Sequence, residues 1–224
     1  MGKKDIHKFK KPSVTADIVI FTIQNYELKI LLVKRKIDPF KNTWALPGGF
    51  VRINESLEDA AKRELKEETG VTDVYLEQLF SFGEPKRDPR GRVITIAYMA
   101  LVNSENIKLK ATTDVLDAQW FLVKKTPQLA FDHKKILDYS LKRLKWKFEY
   151  TTVSFSLLSK KFTISQIQKI YEIVFNKKFD KRNFAKKIIS LNILKEEGIK
   201  KDVSHRPPML YSLKKNIGDI VEII

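Results

Sequence analysis

Residues 48–71 read GGFVRINESLEDAAKRELKEETGV, and the rest of the chain is arranged around them. Ser56, followed three residues later by Asp59, resembles a helix-capping box with Asp in place of the usual Glu or Gln, and Gly70 is a good C-terminal stop. The segment between is expected to be a helix. At about 100° per residue, Glu64, Glu67 and Glu68 fall within a sector of roughly 100° on its surface. Carboxylates this close repel one another, which favours their protonated forms unless a cation sits among them. Hard oxygen ligands of this kind suit Mg²⁺ or Mn²⁺. The competing reading is a solvated acidic face. Against it stand the two glycines before the helix, the glycine after it, and Arg63 one turn before Glu67.

Counted from Gly49, the stretch runs five residues to Glu55, then seven residues to Arg63-Glu64-Leu65-Lys66-Glu67-Glu68-Thr69-Gly70-Val71. It resembles the Nudix box, G-x5-E-x7-R-E-U-x-E-E-x-G-U with U aliphatic, at every specified position. That resemblance implies a loop–helix–loop holding a divalent metal against a nucleoside-diphosphate-linked substrate. It implies Glu64, Glu67 and Glu68 as catalytic residues and metal ligands, joined by the carbonyl of Gly48. Glu55 and Arg63 become internal braces whose charge pairing orients the helix.

The 224 residues are long for one compact domain and comfortable for two. At 43% hydrophobic and 11% aromatic, the chain can bury a core. It has no cysteine, so it builds neither a disulfide framework nor a thiolate metal site. No apolar run approaches the roughly 18 residues of a membrane helix, and the start, MGKKDIHKFKKPS, lacks a signal-peptide core. A soluble, cytoplasmic protein without a membrane partner is expected. The net charge of +16 is unevenly placed. Residues 1–139 hold 24 Lys and Arg against 19 Asp and Glu, whereas residues 140–224 hold 19 against 8. The C-terminal excess suits a polyanion, unless it serves solubility alone.

Taken in order, a basic arm (3–11) leads to SVTADIVIFTI (13–23), a run of strand type that Asn25-Tyr26-Glu27 turns into LKILLVKR (28–35). Beyond the box lie VYLEQLFSF (74–82), RVITIAYMALV (92–102) and AQWFLV (118–123), with a turn rich in Pro, Gly and Arg at 84–92. Ile136, Leu137, Leu141, Leu144 and Phe148 give a helical face over about 131–150. Mixed strands with few helices make the class α+β. Composition shifts at 151–160, which separates an expected domain 1–150 from a second, 151–224.

The second unit opens with the capping pattern Thr163-Ile164-Ser165-Gln166 and a helix whose face is Ile164, Ile167, Ile170, Tyr171 and Val174. Asp180 caps another helix with Phe184, Ile188 and Leu191 on one side and Lys181, Arg182, Lys186 and Lys187 on the other. Extended pieces at 192–196 and 209–215 flank Lys200, Lys201, His205 and Arg206. Helix, helix and basic ribbon is the layout of a winged helix-turn-helix, which sets its second helix in the major groove of double-stranded DNA and its wing on phosphates. The DNA-binding candidates are Lys181, Arg182, Asn183, Lys186, Lys187, Lys200, Lys201 and Arg206. A helical appendage or dimerisation domain is the alternative.

Two further matches narrow the family. Arg87-Asp88-Pro89-Arg90-Gly91-Arg92 resembles the substrate loop of ADP-ribose-type Nudix proteins, in which fork-shaped arginines grip a pyrophosphate. Phe131-Asp132-His133 resembles the start of the last Nudix helix in the same group, where His133 would orient the loop or touch ligand. Arg87, Asp88, Arg90, Arg92 and His133 are thus the substrate-binding candidates. The whole order resembles the Nudix-related transcriptional regulators typified by NrtR. It implies a Nudix α/β/α sandwich with a mixed sheet, then a small winged helix, in a homodimer that binds ADP-ribose or a related nucleotide and DNA. Some ADP-ribose hydrolases take a catalytic base from their second half, and Glu105, Asp114 and Asp117 are open candidates here; in other Nudix enzymes the base lies in the box, as Glu64 would. The alternatives are a plain Nudix pyrophosphohydrolase whose C-terminal unit serves dimerisation or substrate coverage, and an interaction protein with a vestigial box. The intact carboxylates speak against the last.

Overall fold

The β-branched run after Lys11 forms strand β1 (Ser13–Gln24) in a computed structural model, which describes residues 10–70, 72, 74–103, 115–200, 207–215, 217 and 220–223, without the side chains of Glu68, Thr69 and Val115. The left-handed backbone of Asn25 and Tyr26 turns the chain into β2 (Glu27–Arg35), which pairs antiparallel with β1 from Phe21↔Ile30 to Gln24↔Glu27. Beyond that hairpin the two strands part. The gap takes β3 (Trp44–Ala45) on β2 and β4 (Gly48–Phe50) on β1. The other edge of β1 is parallel to β6 (Val93–Leu101), and β5 (Tyr75–Phe82) runs antiparallel to β6. Strand β7 (Val115–Leu122) pairs antiparallel with the far edge of β2. The sheet is therefore mixed.

Both faces of this sheet are buried, which is why β1 reads as a nearly continuous apolar run instead of an alternating one. Val19, Phe21, Ile30 and Leu32 point to one side, against Ile136, Leu137, Leu144 and Phe148 of helix α2 (His133–Tyr150). Ile18, Ile20, Leu31 and Val33 point to the other, against Ala60, Ala61 and Leu65 of α1 (Leu57–Thr69). The result is an α/β/α sandwich. As its sequence requires, α1 starts where Ser56 accepts a hydrogen bond from the Asp59 amide (3.1 Å). It stops at Gly70, whose φ of 72° glycine adopts without steric cost.

After Tyr150 the chain makes a short 3-10 turn (Thr152–Leu157) and enters α3 (Ile164–Phe175). Thr163 and Gln166 form the reciprocal capping box at its start, and Asp180 caps α4 (Lys181–Ser190) by accepting from the Asn183 amide at 2.8 Å. Strands β8 (Leu194–Ile199) and β9 (Met209–Leu213) then form an antiparallel ribbon, joined by a bridge from Phe162 to Tyr211. Two helices and a ribbon make the winged helix. Its central side chain, Tyr171, is fully buried between Phe148 of α2 (5.4 Å between ring centres) and Phe184 of α4 (5.5 Å). The Tyr171 hydroxyl donates to the Phe148 carbonyl (2.9 Å), so one apolar cluster runs from the sheet through α2 into the winged helix. Ile223 returns to that cluster, and the amides of Val221 and Ile223 donate to the carbonyls of Tyr150 and Glu149. Among the described residues no helix is long and apolar enough to cross a membrane.

Candidate functional site

The parting of β1 and β2 leaves a cavity of about 250 Å³, and the double glycine sits at its wall. A side chain on Gly48 would place its Cβ 2.3 Å from the Ala16 carbonyl oxygen and 2.9 Å from the Asp17 Cα, both backbone atoms that cannot step aside. One on Gly49 would meet the Glu64 carboxylate at 2.3 Å. The glycines thus let β4 lie tight on β1 while α1 brings Glu64 into the same space. The two substitutions should differ. Gly48→Ala strains backbone at a φ of +154° and is expected to lower unfolding free energy by about 1–3 kcal/mol, measurable by chemical denaturation. Gly49→Ala only has to displace the Glu64 carboxylate, so its stability should change less.

Arg63 is the hub of the box. Its guanidinium donates to Glu55 twice (2.6 and 2.9 Å), to Glu64 (2.5 Å), to Glu67 (3.1 Å) and to the Phe50 carbonyl (3.1 Å). Those bonds hold the Glu55 carboxyl down at about 2, and the Arg52 amide helps. Glu64 behaves oppositely. Burial pushes its pKa up; Arg63 opposes this, and the charges of Glu67 and Glu55 add to it. A buried carboxylate in that position gains from a cation. Glu67 is half exposed, also 3.7 Å from Arg52, and lies outside the cavity wall. The Glu68 side chain lies outside the described residues. Among those described, no three carboxylates or histidines converge as a metal site.

The arginine loop meets the box across the cavity, although not every candidate points inward. Arg87 is buried and donates to Asp132 (2.7 and 3.1 Å) and to Asp17 (3.3 Å). Two carboxylates take up its fork, so it ties the loop to β1 and to the start of α2. Arg90 faces the cavity, paired at 2.7 and 3.0 Å with Asp88, its guanidinium over the rings of Phe50 (5.2 Å) and Phe131 (5.5 Å). Burial works to raise the Asp88 pKa, but the Arg90 bonds outweigh it and the net shift is downward. Arg92 turns away. Its exposed guanidinium donates to the Gly83 carbonyl (2.6 Å), and it does not line the cavity. His133 is buried, and its Nδ1 accepts from the Leu46 amide at 2.9 Å, which fixes the connection between β3 and β4. Desolvation lowers its pKa against the pull of Asp17, so the ring is neutral, with Nε2 3.8 Å from Asp17. The same ring lines the cavity.

Asp17, Arg35 and Phe131 also shape this cavity, although none of them stands among the candidates drawn from the sequence. Asp17 is a lone carboxylate inside an apolar strand, a signal that was there to read. Arg35 ends β2, donates to the Pro39 carbonyl (2.8 Å) and stacks on Phe131 at 4.8 Å. Phe131 adopts φ 50°, a left-handed conformation rare for a bulky residue, and no sequence pattern announces it. Of the open candidates for a base, Asp117 lies on β7 away from the cavity, while Glu105 and Asp114 fall outside the described residues.

On the winged helix, Phe184 and Ile188 face the core and leave Lys181, Arg182, Asn183, Lys186 and Lys187 exposed on the outer face of α4. Lys200 is exposed at the end of the ribbon; Lys201, His205 and Arg206 lie outside the described residues. Part of the positive charge of the described ribbon is taken up locally, because Glu197 pairs with Lys195 (3.0 Å) and Lys161 (3.4 Å).

Comparison with known proteins places these features. Residues 11–140 match the family model of the NUDIX domain, and residues 154–213 match that of the NrtR DNA-binding winged helix domain. The chain is 36% identical to an ADPR responsive transcriptional repressor NtrR of Acinetobacter baylyi, over 91% of this chain and 82% of that protein. It is 42% identical to an ADP-ribose pyrophosphatase of Methanocaldococcus jannaschii, over 65% of this chain and 82% of that one. The crystal structure of Shewanella oneidensis NrtR complexed with a 27mer DNA superposes with a TM-score of 0.80 at 34% identity, covering 90% of this chain and 93% of the other.

Proposed function

The chain belongs to the NUDIX family, and on that premise we propose that it is a transcriptional regulator which binds ADP-ribose or a related nucleotide in its Nudix domain and duplex DNA through its winged helix. The observation that carries the proposal is the convergence of Glu64 from the box and Arg90 from the loop on one cavity, in a chain that continues into an exposed basic helix. Domains of about 1–150 and 151–224, joined through α2, and a cytoplasmic two-fold dimer on a palindromic site fit this role.

Within the cavity, Arg90 exchanges its Asp88 partner for oxygens of the diphosphate, with Asp88 holding it in reserve. Arg87 keeps the loop seated, and His133 keeps the segment before Gly48 in place. A hard oxygen donor set and a buried carboxylate suit Mg²⁺ or Mn²⁺, which Glu64, Glu67, Glu68 and the Gly48 carbonyl would hold. Such an ion polarises phosphoryl oxygen and acidifies water. Glu64, the box carboxylate that lines the cavity, is the general base we assign. Slow cleavage of ADP-ribose to AMP and ribose 5-phosphate follows. The intact box and the pyrophosphatase relative favour a second reading, a hydrolase with a C-terminal appendage.

DNA separates the two readings. Selection from random duplexes, followed by mobility-shift titration with and without ADP-ribose, should yield an enriched palindrome whose affinity changes with the ligand. Weak, sequence-blind binding would leave the hydrolase reading. For the ligand, Arg90→Ala should weaken ADP-ribose binding by about 1.5–3 kcal/mol in calorimetry, as for a lost charged hydrogen bond. Arg92→Ala, outside the cavity wall, should change it far less. Equal losses in both variants would mean the loop rearranges on binding.

A further inference from the structure

A second, larger cavity of about 640 Å³ lies between the sandwich and the winged helix, remote from the box. Its floor is apolar, with Leu28 and Leu122 from the sheet, Leu141 from α2 and Val174 from α3. Around that floor stand Lys124, Lys125, Lys145, Lys169, Lys177 and Lys178, against only Glu27 and Glu172. Glu172 is consumed locally, since it accepts from Lys178 (3.1 Å), Gln168 and the Phe179 amide and lies 3.8 Å from the Lys169 ammonium. Lys125 and Lys145 have no hydrogen bond or ion pair among the described residues. Unpaired ammonium groups gathered at one apolar cleft repel one another and attract anions.

We propose that this cleft is an effector site for a nucleoside polyphosphate. The volume lies in the range of small-molecule sites and is more than twice that of the box cavity. Lysines serve as point charges for phosphate groups. For the base there is Tyr26, 74% exposed at the rim, with the Lys169 ammonium 5.5 Å from its ring centre. Aromatic rings placed this way stack on bases. The walls belong to both halves of the chain, and two weak contacts span them: Lys169 over Tyr26, and the Lys124 ammonium on the Asn176 side-chain oxygen at 3.1 Å. A polyphosphate competes for both lysines. Helix α3 carries Lys169 on one side and packs Tyr171 on Phe184 of α4 on the other, so a shift of α3 reaches the DNA-facing helix.

The test uses the full chain in EDTA, titrated with adenosine 5′-(β,γ-imido)triphosphate in a calorimeter. One nucleotide should bind per chain. The double variant Lys125→Ala/Lys145→Ala, which removes no hydrogen bond or ion pair among the described residues, should bind about tenfold more weakly or worse. Arg90→Ala should bind as the wild type does. Inorganic tripolyphosphate should bind about tenfold more weakly than the nucleotide, for want of the stacked base. The nucleotide should also shift DNA affinity in the wild type and not in the double variant. Absence of binding overturns the site, as does loss in Arg90→Ala with retention in the lysine variant, which would put the nucleotide in the box cavity. Equal affinity for tripolyphosphate overturns the nucleoside assignment. Binding without any change in DNA affinity overturns the effector role.

Discussion

Glu64→Gln is expected to slow metal-dependent cleavage of ADP-ribose by about 10²–10⁴-fold, the usual contribution of a general base. The amide keeps the shape of the side chain and can still accept from Arg63, so the box should hold its form. It can no longer take a proton and is a poorer ligand for a hard cation. The protein should not be destabilised, because a buried carboxylate whose charged form burial disfavours is replaced by a neutral group. A thermal melt at or above that of the wild type, together with the lost rate, would distinguish chemistry from unfolding. Glu67→Gln should also cost activity, but Glu67 is half exposed and tied to Arg63 and Arg52, which leaves room for partial compensation. ADP-ribose affinity measured in EDTA should survive in both variants. Full turnover in Glu64→Gln would move the base to another residue.

The chain announced its architecture because its signals were local. A capping residue, a left-handed glycine and an apolar stripe each act within a few residues, so α1, α3 and α4 lie where their caps put them. The box was legible for the same reason: its spacing is the pitch of one helix, and Arg63 reaches Glu55, Glu64 and Glu67 without help from elsewhere. Strand order was less accessible. Nothing in residues 13–24 says that β1 will take β6 in parallel along one edge and share the other between β2 and β4. The splaying of β1 from β2, which creates the cavity, goes with β3 and β4 being seated between them, pairings that no local pattern announces.

The arginine loop shows where reading by residue type stops short. Arg87, Arg90 and Arg92 look alike in a string, and the chemistry of a guanidinium fits a diphosphate equally well in all three. What separates them is the supply of carboxylates nearby. Asp17 and Asp132 come from β1 and from the turn before α2, so the fate of Arg87 is decided by tertiary structure. Arg90 finds its partner two residues back and keeps one side toward the cavity. Arg92 finds a carbonyl and faces outward. His133 is a similar case, because its acceptor role on Leu46 spans 87 positions.

Removing the cationic face of α4 should have the largest effect on DNA. The fourfold variant Lys181→Ala, Arg182→Ala, Lys186→Ala and Lys187→Ala is expected to lose about 10³-fold in affinity near 0.1 M salt, at about 1 kcal/mol for each contact. Each phosphate contact releases close to one counterion, so the slope of log affinity against log salt should become shallower by about 3–4. The variant should fold. Its four sites are exposed, alanine is the best helix former, and the packing of α4 rests on Phe184 and Ile188. The single changes should divide by role. Arg182 stands in the first turn, the part of a recognition helix that reaches base edges, and Arg182→Ala should relax sequence preference by about 1–3 kcal/mol at one position. Lys200→Ala, at the ribbon, should weaken all sequences alike and flatten the salt slope by about one. Lys201 and Arg206 belong to the same expected phosphate track, although they lie outside the described residues. If the fourfold variant binds DNA as tightly as the wild type with an unchanged salt slope, α4 does not face the duplex, and the basic character of residues 140–224 has to be explained by solubility.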